Sequence, residues 1–238
     1  MLYKEDYDLE FLGKCSNDEL ESLFKILAYD RDGKKRMYGK LLDSEEYKTY
    51  GNDYKKYWKR ITGEFQLYGS GCIPFVLAGN AVYNISLNMS EYTLFRKRKK
   101  TEEEVEKGML LYYNDIINNT LDMLDIDYSK EKSLEIKEEK FIESVFKRLI
   151  TKLSEIEMIE MLSKMGIEIL DLKNISLESL IERIKKFDGV KCNKAVNIIG
   201  EKISSKGINY IFGGTGKERV IPFIVIIIGL RKLTKERK

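Results

Sequence analysis

A phosphate-binding loop is the first chemistry that this sequence suggests, because Gly213-Gly214-Thr215-Gly216-Lys217 ends in a Gly-Lys pair. The phosphate-loop motif also needs a glycine five residues before that pair and a serine or threonine after the lysine. Ile211 and Glu218 hold those two positions. We therefore predict a flexible turn between two apolar elements and no nucleotide site.

Other candidates for catalysis are few. The sequence contains no histidine, which excludes Ser-His-Asp and Cys-His nucleophile systems and HExxH metal sites. A calcium-loop pattern at Asp30-Arg31-Asp32-Gly33 stops after two ligand positions. The three cysteines, Cys15, Cys72 and Cys192, stand far apart without a CxxC pair, and paired carboxylates occur only in charged patterns. We predict no catalytic residue, no metal site and no cofactor, and hence no enzyme.

Basic and aromatic residues are interspersed between positions 47 and 60. Such a mixture can stack bases and hold phosphates, or it can form a protein-binding face. On a helix, however, Tyr54, Trp58 and Ile61 share one face, which is also ordinary spacing for core residues. The candidate partner-binding residues in this segment are Tyr54, Tyr57, Trp58, Lys59 and Arg60. Nucleic acid, contacted here and through the basic run at positions 96–100, is the least favoured partner.

The closing segment is the second candidate surface. An apolar run from Val220 to Leu230 precedes several basic residues, and its length is about half of the roughly 20 residues that cross a membrane. β-branched residues favour a strand, but the run's length and the early Pro222 predict a buried helix. The alternative is a helix at an anionic membrane surface or in a partner's groove. Arg219, Pro222 and Arg231 are its candidate contact residues.

The elements that must position these residues are helices. Ser16 and Glu19 form a predicted capping box, and apolar residues follow at helical spacing. A second capping box at Thr101–Glu104 predicts a helix through about Leu124, and shorter helices are expected after residue 131. Only two prolines occur in the chain. The sequence predicts an all-α, multi-helix globular bundle, with lobes at residues 1–125 and 126–238.

Charge and composition narrow the class of protein further. The chain has 238 residues, of which 42 are basic and 39 acidic, so there is no chain-wide basic footprint for nucleic acid. The N-terminal residues lack the basic-then-apolar plan of a signal peptide. We expect a cytoplasmic protein, with peripheral membrane association as the alternative.

Several stretches resemble the YaaW-like family of uncharacterised bacterial proteins. In the N-terminal part they are Asp8-Leu9-Glu10-Phe11-Leu12, Asp32-Gly33-Lys34-Lys35-Arg36, Tyr54-Lys55-Lys56-Tyr57-Trp58-Lys59-Arg60-Ile61, Glu64-Phe65-Gln66-Leu67-Tyr68-Gly69 and Gly79-Asn80-Ala81-Val82-Tyr83. Near the end they are Arg219-Val220-Ile221-Pro222 and Leu230-Arg231. The resemblance implies an all-α fold. It also implies a relation to ubiquinol–cytochrome c chaperones through the family's central domain, and so a protein partner. The family's glycine-rich apolar hairpin is reduced here to residues 207–216.

These observations lead to three functional hypotheses. The first is a non-enzymatic protein-interaction or assembly factor of a chaperone-like kind. The second is a membrane-surface stress or defence effector that acts through the closing helix. The third is nucleic-acid binding through the basic and aromatic segments.

Overall fold

The backbone of the described residues consists of helices and short connections. The structure, a computed structural model, describes residues 2–29, 33–36, 39–70, 107–164, 179 and 220–237. Its α-helices are α1 (Asn17–Ala28), α2 (Glu45–Tyr50), α3 (Trp58–Gly69), α4 (Tyr113–Met123), α5 (Leu134–Lys152), α6 (Glu155–Lys164) and α7 (Ile221–Glu236). Three 3₁₀ helices span Tyr7–Lys14, Leu41–Asp43 and Tyr54–Tyr57. The all-α prediction is confirmed.

The first predicted capping box is present. The hydroxyl of Ser16 accepts a hydrogen bond from the Glu19 amide, and the Glu19 carboxylate accepts one from the Ser16 amide at 2.7 Å. Ser154 and Glu157 form an equivalent pair at the start of α6. Local side chains therefore fix both helix starts, as the sequence indicates.

The start of α4 differs from the prediction. A continuous helix from Thr101 was expected, but the chain is non-helical at residues 110–112 and α4 begins at Tyr113. The carboxylate of Asp6 accepts a hydrogen bond from the Tyr113 amide at 2.6 Å. A cap from more than 100 residues away thus sets this boundary, and no local pattern could reveal it.

One hydrophobic core joins elements from both ends of the chain. Leu9, Phe24 and Phe65 from the N-terminal part share it with Phe141 of α5 and Ile224 of α7. Helix α1 packs against α7, and α4 packs against α5. The division into two lobes, at residues 1–125 and 126–238, stays a prediction.

The closing segment is a buried helix, as predicted. All residues from Val220 to Leu230 are buried, and Pro222 lies in the first turn of α7, where its missing amide hydrogen costs nothing. Among the described helices, none has the length and apolar character needed to span a bilayer.

Helix α3 lies at the centre and carries the N-terminal segment. A Cβ atom on Gly63 would lie 1.7 Å from the carbonyl oxygen of Leu2, so the two backbones are in direct contact. Further along α3, the Gln66 amide accepts from the Lys4 main-chain N–H at 3.0 Å and donates to the Lys4 carbonyl at 2.9 Å. These contacts hold residues 2–4 in one position along α3.

Some sequence predictions fall outside the described residues. They concern the basic run at 96–100, the capping box at Thr101–Glu104, the reduced hairpin at 207–216, the glycine turn at 213–217, and Arg219.

Candidate functional site

The largest exposed aromatic side chains lie beside the N-terminal segment. Among the large, exposed apolar side chains of the described residues, Tyr7 has the highest exposed fraction, 88%, and Tyr112 is 47% exposed. Trp58 is partly exposed and packs edge-on against Tyr3, with ring centroids 5.8 Å apart. The term N-terminal surface here denotes Tyr3, Lys4, Tyr7, Glu10, Trp58, Lys59 and Tyr112.

The backbone under Tyr7 is fixed by the Asp6 carboxylate. One oxygen of that carboxylate accepts from the Asp8 amide at 3.0 Å, which caps the 3₁₀ helix Tyr7–Lys14, and the other accepts from the Tyr113 amide. Burial raises the pKa of Asp6, while these two amide hydrogen bonds act in the opposite direction. Asp6 therefore bonds to Asp8 and Tyr113, the residues that directly follow Tyr7 and Tyr112 in the chain.

The 3₁₀ helix aligns side chains at every third position. Side chains at i and i+3 eclipse in this geometry, with a rise of about 2 Å per residue, so Tyr7, Glu10 and Gly13 lie in one row. The Trp58 ring covers Gly13, where an added Cβ atom would lie 3.0 Å from ring atoms. Glu10 is exposed between the two aromatic side chains.

Two lysines of the surface lie over aromatic rings. The Lys4 ammonium is 3.7 Å from the Tyr112 ring centroid and donates to the Leu110 carbonyl at 3.1 Å. The Lys59 ammonium is 5.6 Å from the Tyr3 centroid and 5.7 Å from that of Trp58. Cation–π attraction at exposed sites is worth about 0.5–1 kcal/mol, which favours one arrangement of these long side chains.

Only part of the predicted face at Tyr54–Arg60 reaches the surface. Tyr54 and Tyr57 are buried against Phe24, and the Tyr57 hydroxyl donates to the Gly51 carbonyl at 2.7 Å. Burial raises the pKa of both tyrosines. Phe24 of α1 covers both rings, which fits the core spacing noted for this segment, and their role as contact residues stays a prediction. Trp58 and Lys59 remain partly exposed.

Arg60 is also an interior residue. Its Nη1 atom lies 2.8 Å from Oε2 of Glu64 in a buried ion pair, and Glu64 accepts a hydrogen bond from the Lys40 amide at 2.9 Å. The pair satisfies charges inside α3, so Arg60 has a structural role and no exposed contact face.

The two described contact candidates of the closing helix, Pro222 and Arg231, make contacts inside the protein. Pro222 is buried. Arg231 lies 3.1 Å from the Glu138 carboxylate, donates to the Asp8 carbonyl, and stacks 5.1 Å from the Tyr113 centroid. Burial raises the pKa of Glu138, and Arg231 opposes that shift. Arg231 thus connects α7 to α5 and the N-terminal 3₁₀ helix.

The thiol of Cys15 is free and buried. Burial raises the pKa of the Cys15 thiol to about 12, so it stays protonated and unreactive near neutral pH. Within the described ranges, no group of acidic and cysteine side chains could hold a metal ion.

Sequence analysis missed Tyr7 and Tyr112. Tyr7 directly precedes Asp8–Leu12, which entered the sequence analysis only through the family resemblance. The three-residue spacing of Leu9, Leu12 and Cys15, all buried, is the signal that could have indicated a 3₁₀ helix with Tyr7 and Glu10 on its outer face. Tyr112 could not be found in this way, because its place depends on the distant Asp6.

The similarities of the chain are to proteins whose names state no function. A family described as Domain of unknown function (DUF3944) matches residues 3–37. The chain is 26% identical over 234 residues to a UPF0174 protein of Helicobacter pylori strain J99, covering 96% of this chain and 81% of that protein. It is 27% identical over 135 residues to the UPF0174 protein YaaW of Escherichia coli K12, covering 54% and 56% of the two chains. No solved structure matches the chain.

The homologues are therefore UPF0174 proteins, which include YaaW, and they support the resemblance to the YaaW-like family. The chain spans about half the length of YaaW, and it covers 49% of a further UPF0174 protein from Helicobacter pylori strain 26695, to which it is 29% identical. The expected relation to ubiquinol–cytochrome c chaperones has no support among these similarities.

Proposed function

We propose that this chain is a non-enzymatic protein-interaction factor and that the N-terminal surface is its contact face. The observation that carries the proposal is the Tyr7 side chain, which is 88% exposed. Its backbone is held in place by Asp6, whose two carboxylate oxygens accept hydrogen bonds from the amides of Asp8 and Tyr113. Tyrosine and tryptophan are enriched among the residues that dominate binding energy in protein interfaces.

The rigidity of this surface also supports binding. Gln66 fixes the Lys4 backbone, and Trp58 is packed between Tyr3 and Gly13. Aromatic side chains that are already ordered lose little conformational entropy when a partner covers them. Residues 3–37, which match the family of unknown function, include the N-terminal segment that builds much of this surface.

The other two hypotheses have less support. A membrane-surface role through α7 requires its apolar residues at the surface, whereas residues 220–230 are buried. Base stacking in the segment 47–60 requires accessible rings, whereas Tyr54 and Tyr57 are covered. An assembly or chaperone-like role would be one form of the proposed interaction.

Photo-cross-linking in native cells tests the proposal. A p-benzoylphenylalanine residue replaces Tyr7 or Tyr112 in the full chain, and the control replaces Tyr50, which is 42% exposed on α2. We expect one discrete protein adduct from positions 7 and 112 but not from position 50. The same adduct should decrease when Trp58→Ala is added.

Two results would count against the proposal. One is the absence of any adduct at positions 7 and 112 while the protein is folded and abundant. The other is the same set of adducts from positions 7 and 50, which would indicate nonspecific collisions.

A further inference from the structure

The outer row of the first 3₁₀ helix combines an aromatic ring with a carboxylate. Tyr7 and Glu10 are three residues apart and both are exposed, so their side chains eclipse on one side of the helix. The row ends at Gly13, which the Trp58 ring covers. A ligand along this row therefore meets a ring, a negative charge and a second ring in that order.

The charges around Tyr7 are mainly negative. The neighbouring carboxylates are those of Glu5 and Glu10, which are exposed, and Asp8, which is half-buried. The nearest lysine in the segment, Lys4, has its ammonium over Tyr112 and bonded to the Leu110 carbonyl. The carboxylate row is thus complementary to a cation, and the Tyr7 ring offers that cation a face.

In the interior of the same protein, an arginine already lies against aromatic rings and a carboxylate. The Arg231 guanidinium lies 4.8 Å from the Phe11 centroid and 5.1 Å from that of Tyr113, and its Nε is 3.1 Å from Glu138. One guanidinium thus stacks on rings and pairs with a carboxylate at once. A planar guanidinium can do both, whereas an ammonium is a point charge without a stacking face.

We infer that the N-terminal surface binds an arginine side chain of a protein partner, stacked on Tyr7 and paired with Glu10. This inference rests on the proposed function and names the chemistry of the partner. Lys14 is exposed at the other end of the same helix but lies outside this row, so the charge that follows Tyr7 along the row is the Glu10 carboxylate.

NMR of the full chain with ¹³C-labelled tyrosine rings tests the inference. The probe is N-acetyl-arginine methylamide, and the matched control ligand is its citrulline counterpart, which has the same shape without the charge. We expect a saturable shift of the Tyr7 ring signal with arginine, at least fivefold weaker binding of citrulline, and no saturable shift of the Tyr50 signal.

Variants locate the carboxylate that pairs with the guanidinium. Glu10→Gln should weaken arginine binding at least threefold, whereas Glu139→Gln, an exposed change on α5, should leave it unchanged. Raising the salt concentration should also weaken binding, because the pair is exposed to solvent.

Equal shifts with arginine and citrulline would overturn the inference, and so would an unaltered affinity in Glu10→Gln. Neither result affects the proposed function, because the cross-linking experiment detects a partner of any chemistry. Loss of the adduct in Glu10→Gln, with an intact adduct in Glu139→Gln, would support the inference in cells.

Discussion

Tyrosines of two 3₁₀ helices in this protein face opposite directions. Tyr54 and Tyr57 belong to a 3₁₀ helix that turns them into the core against Phe24. Tyr7 begins another 3₁₀ helix and is exposed to solvent, and the exposed Tyr112 directly precedes α4. From the local sequence, Tyr54 and Tyr57 were candidate contact residues with core packing as the other interpretation, and Tyr7 was not a candidate.

The comparison shows that a neighbouring element decides which tyrosines remain available. Helix α1 covers Tyr54 and Tyr57, while Lys55 and Lys56 between them stay exposed. The lysines therefore mark the exposed face of the 3₁₀ helix, while the tyrosines of the same segment lie on its buried face. At Tyr7 the buried positions of the helix are Leu9 and Leu12, and the remaining row faces outward.

The largest difference between the buried and the exposed tyrosines should appear in stability. Tyr57→Ala removes a fully buried ring and its hydrogen bond to Gly51, so we expect a loss of about 3–5 kcal/mol in the free energy of unfolding. Tyr7→Ala should change it by less than about 0.5 kcal/mol, as is usual for exposed positions. Urea denaturation followed by circular dichroism measures both values. Similar losses of stability in the two variants would contradict the assignment of Tyr57 to the core and of Tyr7 to the surface.

The contact between α3 and the N-terminal segment should give the second largest effect. Gly63→Ala places a Cβ atom against the Leu2 carbonyl, and we expect a loss of about 1–3 kcal/mol from overpacking. The N-terminal segment should also shift, which changes Trp58 fluorescence because Tyr3 packs on that ring. Gly108→Ala is the matched control, since nothing lies within 4 Å of its added Cβ atom. An unchanged fluorescence spectrum in Gly63→Ala would mean that the segment tolerates the methyl group.

The Asp6 carboxylate should have a smaller effect on stability and a specific effect on the surface. Asp6→Ala removes the cap of the 3₁₀ helix and the acceptor for the Tyr113 amide. Loss of a helix cap typically costs about 1–2 kcal/mol. We also expect altered NMR signals for the rings of Tyr7 and Tyr112. Asp8→Ala, two positions along the chain, is the control and should leave both signals nearly unchanged.

The fold was predictable where local rules determine it. The Ser16–Glu19 capping box and the helical form of the segment after Val220 both follow from residues within one or two turns. The break before Tyr113 could not be predicted, because its cap comes from Asp6. For the candidate site, Trp58 and Lys59 were identified from the sequence. Tyr7 and Tyr112 were not, since their arrangement depends on contacts between distant parts of the chain.

The buried pair of Glu138 and Arg231 should make the stability of the protein depend on pH. Burial raises the pKa of Glu138 above its ordinary value of 4.5, with Arg231 and the Tyr113 hydroxyl acting against that shift. The folded state therefore binds this proton more tightly than the unfolded state does. The resulting stability is fully present below the unfolded pKa and is lost as the pH rises through the folded pKa.

Glu138→Gln removes this titration and should become more stable relative to wild type as the pH rises above about 4.5, by an amount on the order of 1 kcal/mol. Urea denaturation of both proteins between pH 4 and pH 8 measures the difference. Glu139→Gln, an exposed change on the same helix, is the control and should follow the wild-type pH dependence. If Glu138→Gln instead lost stability relative to wild type over this range, the ion pair with Arg231 would outweigh the burial of the carboxylate.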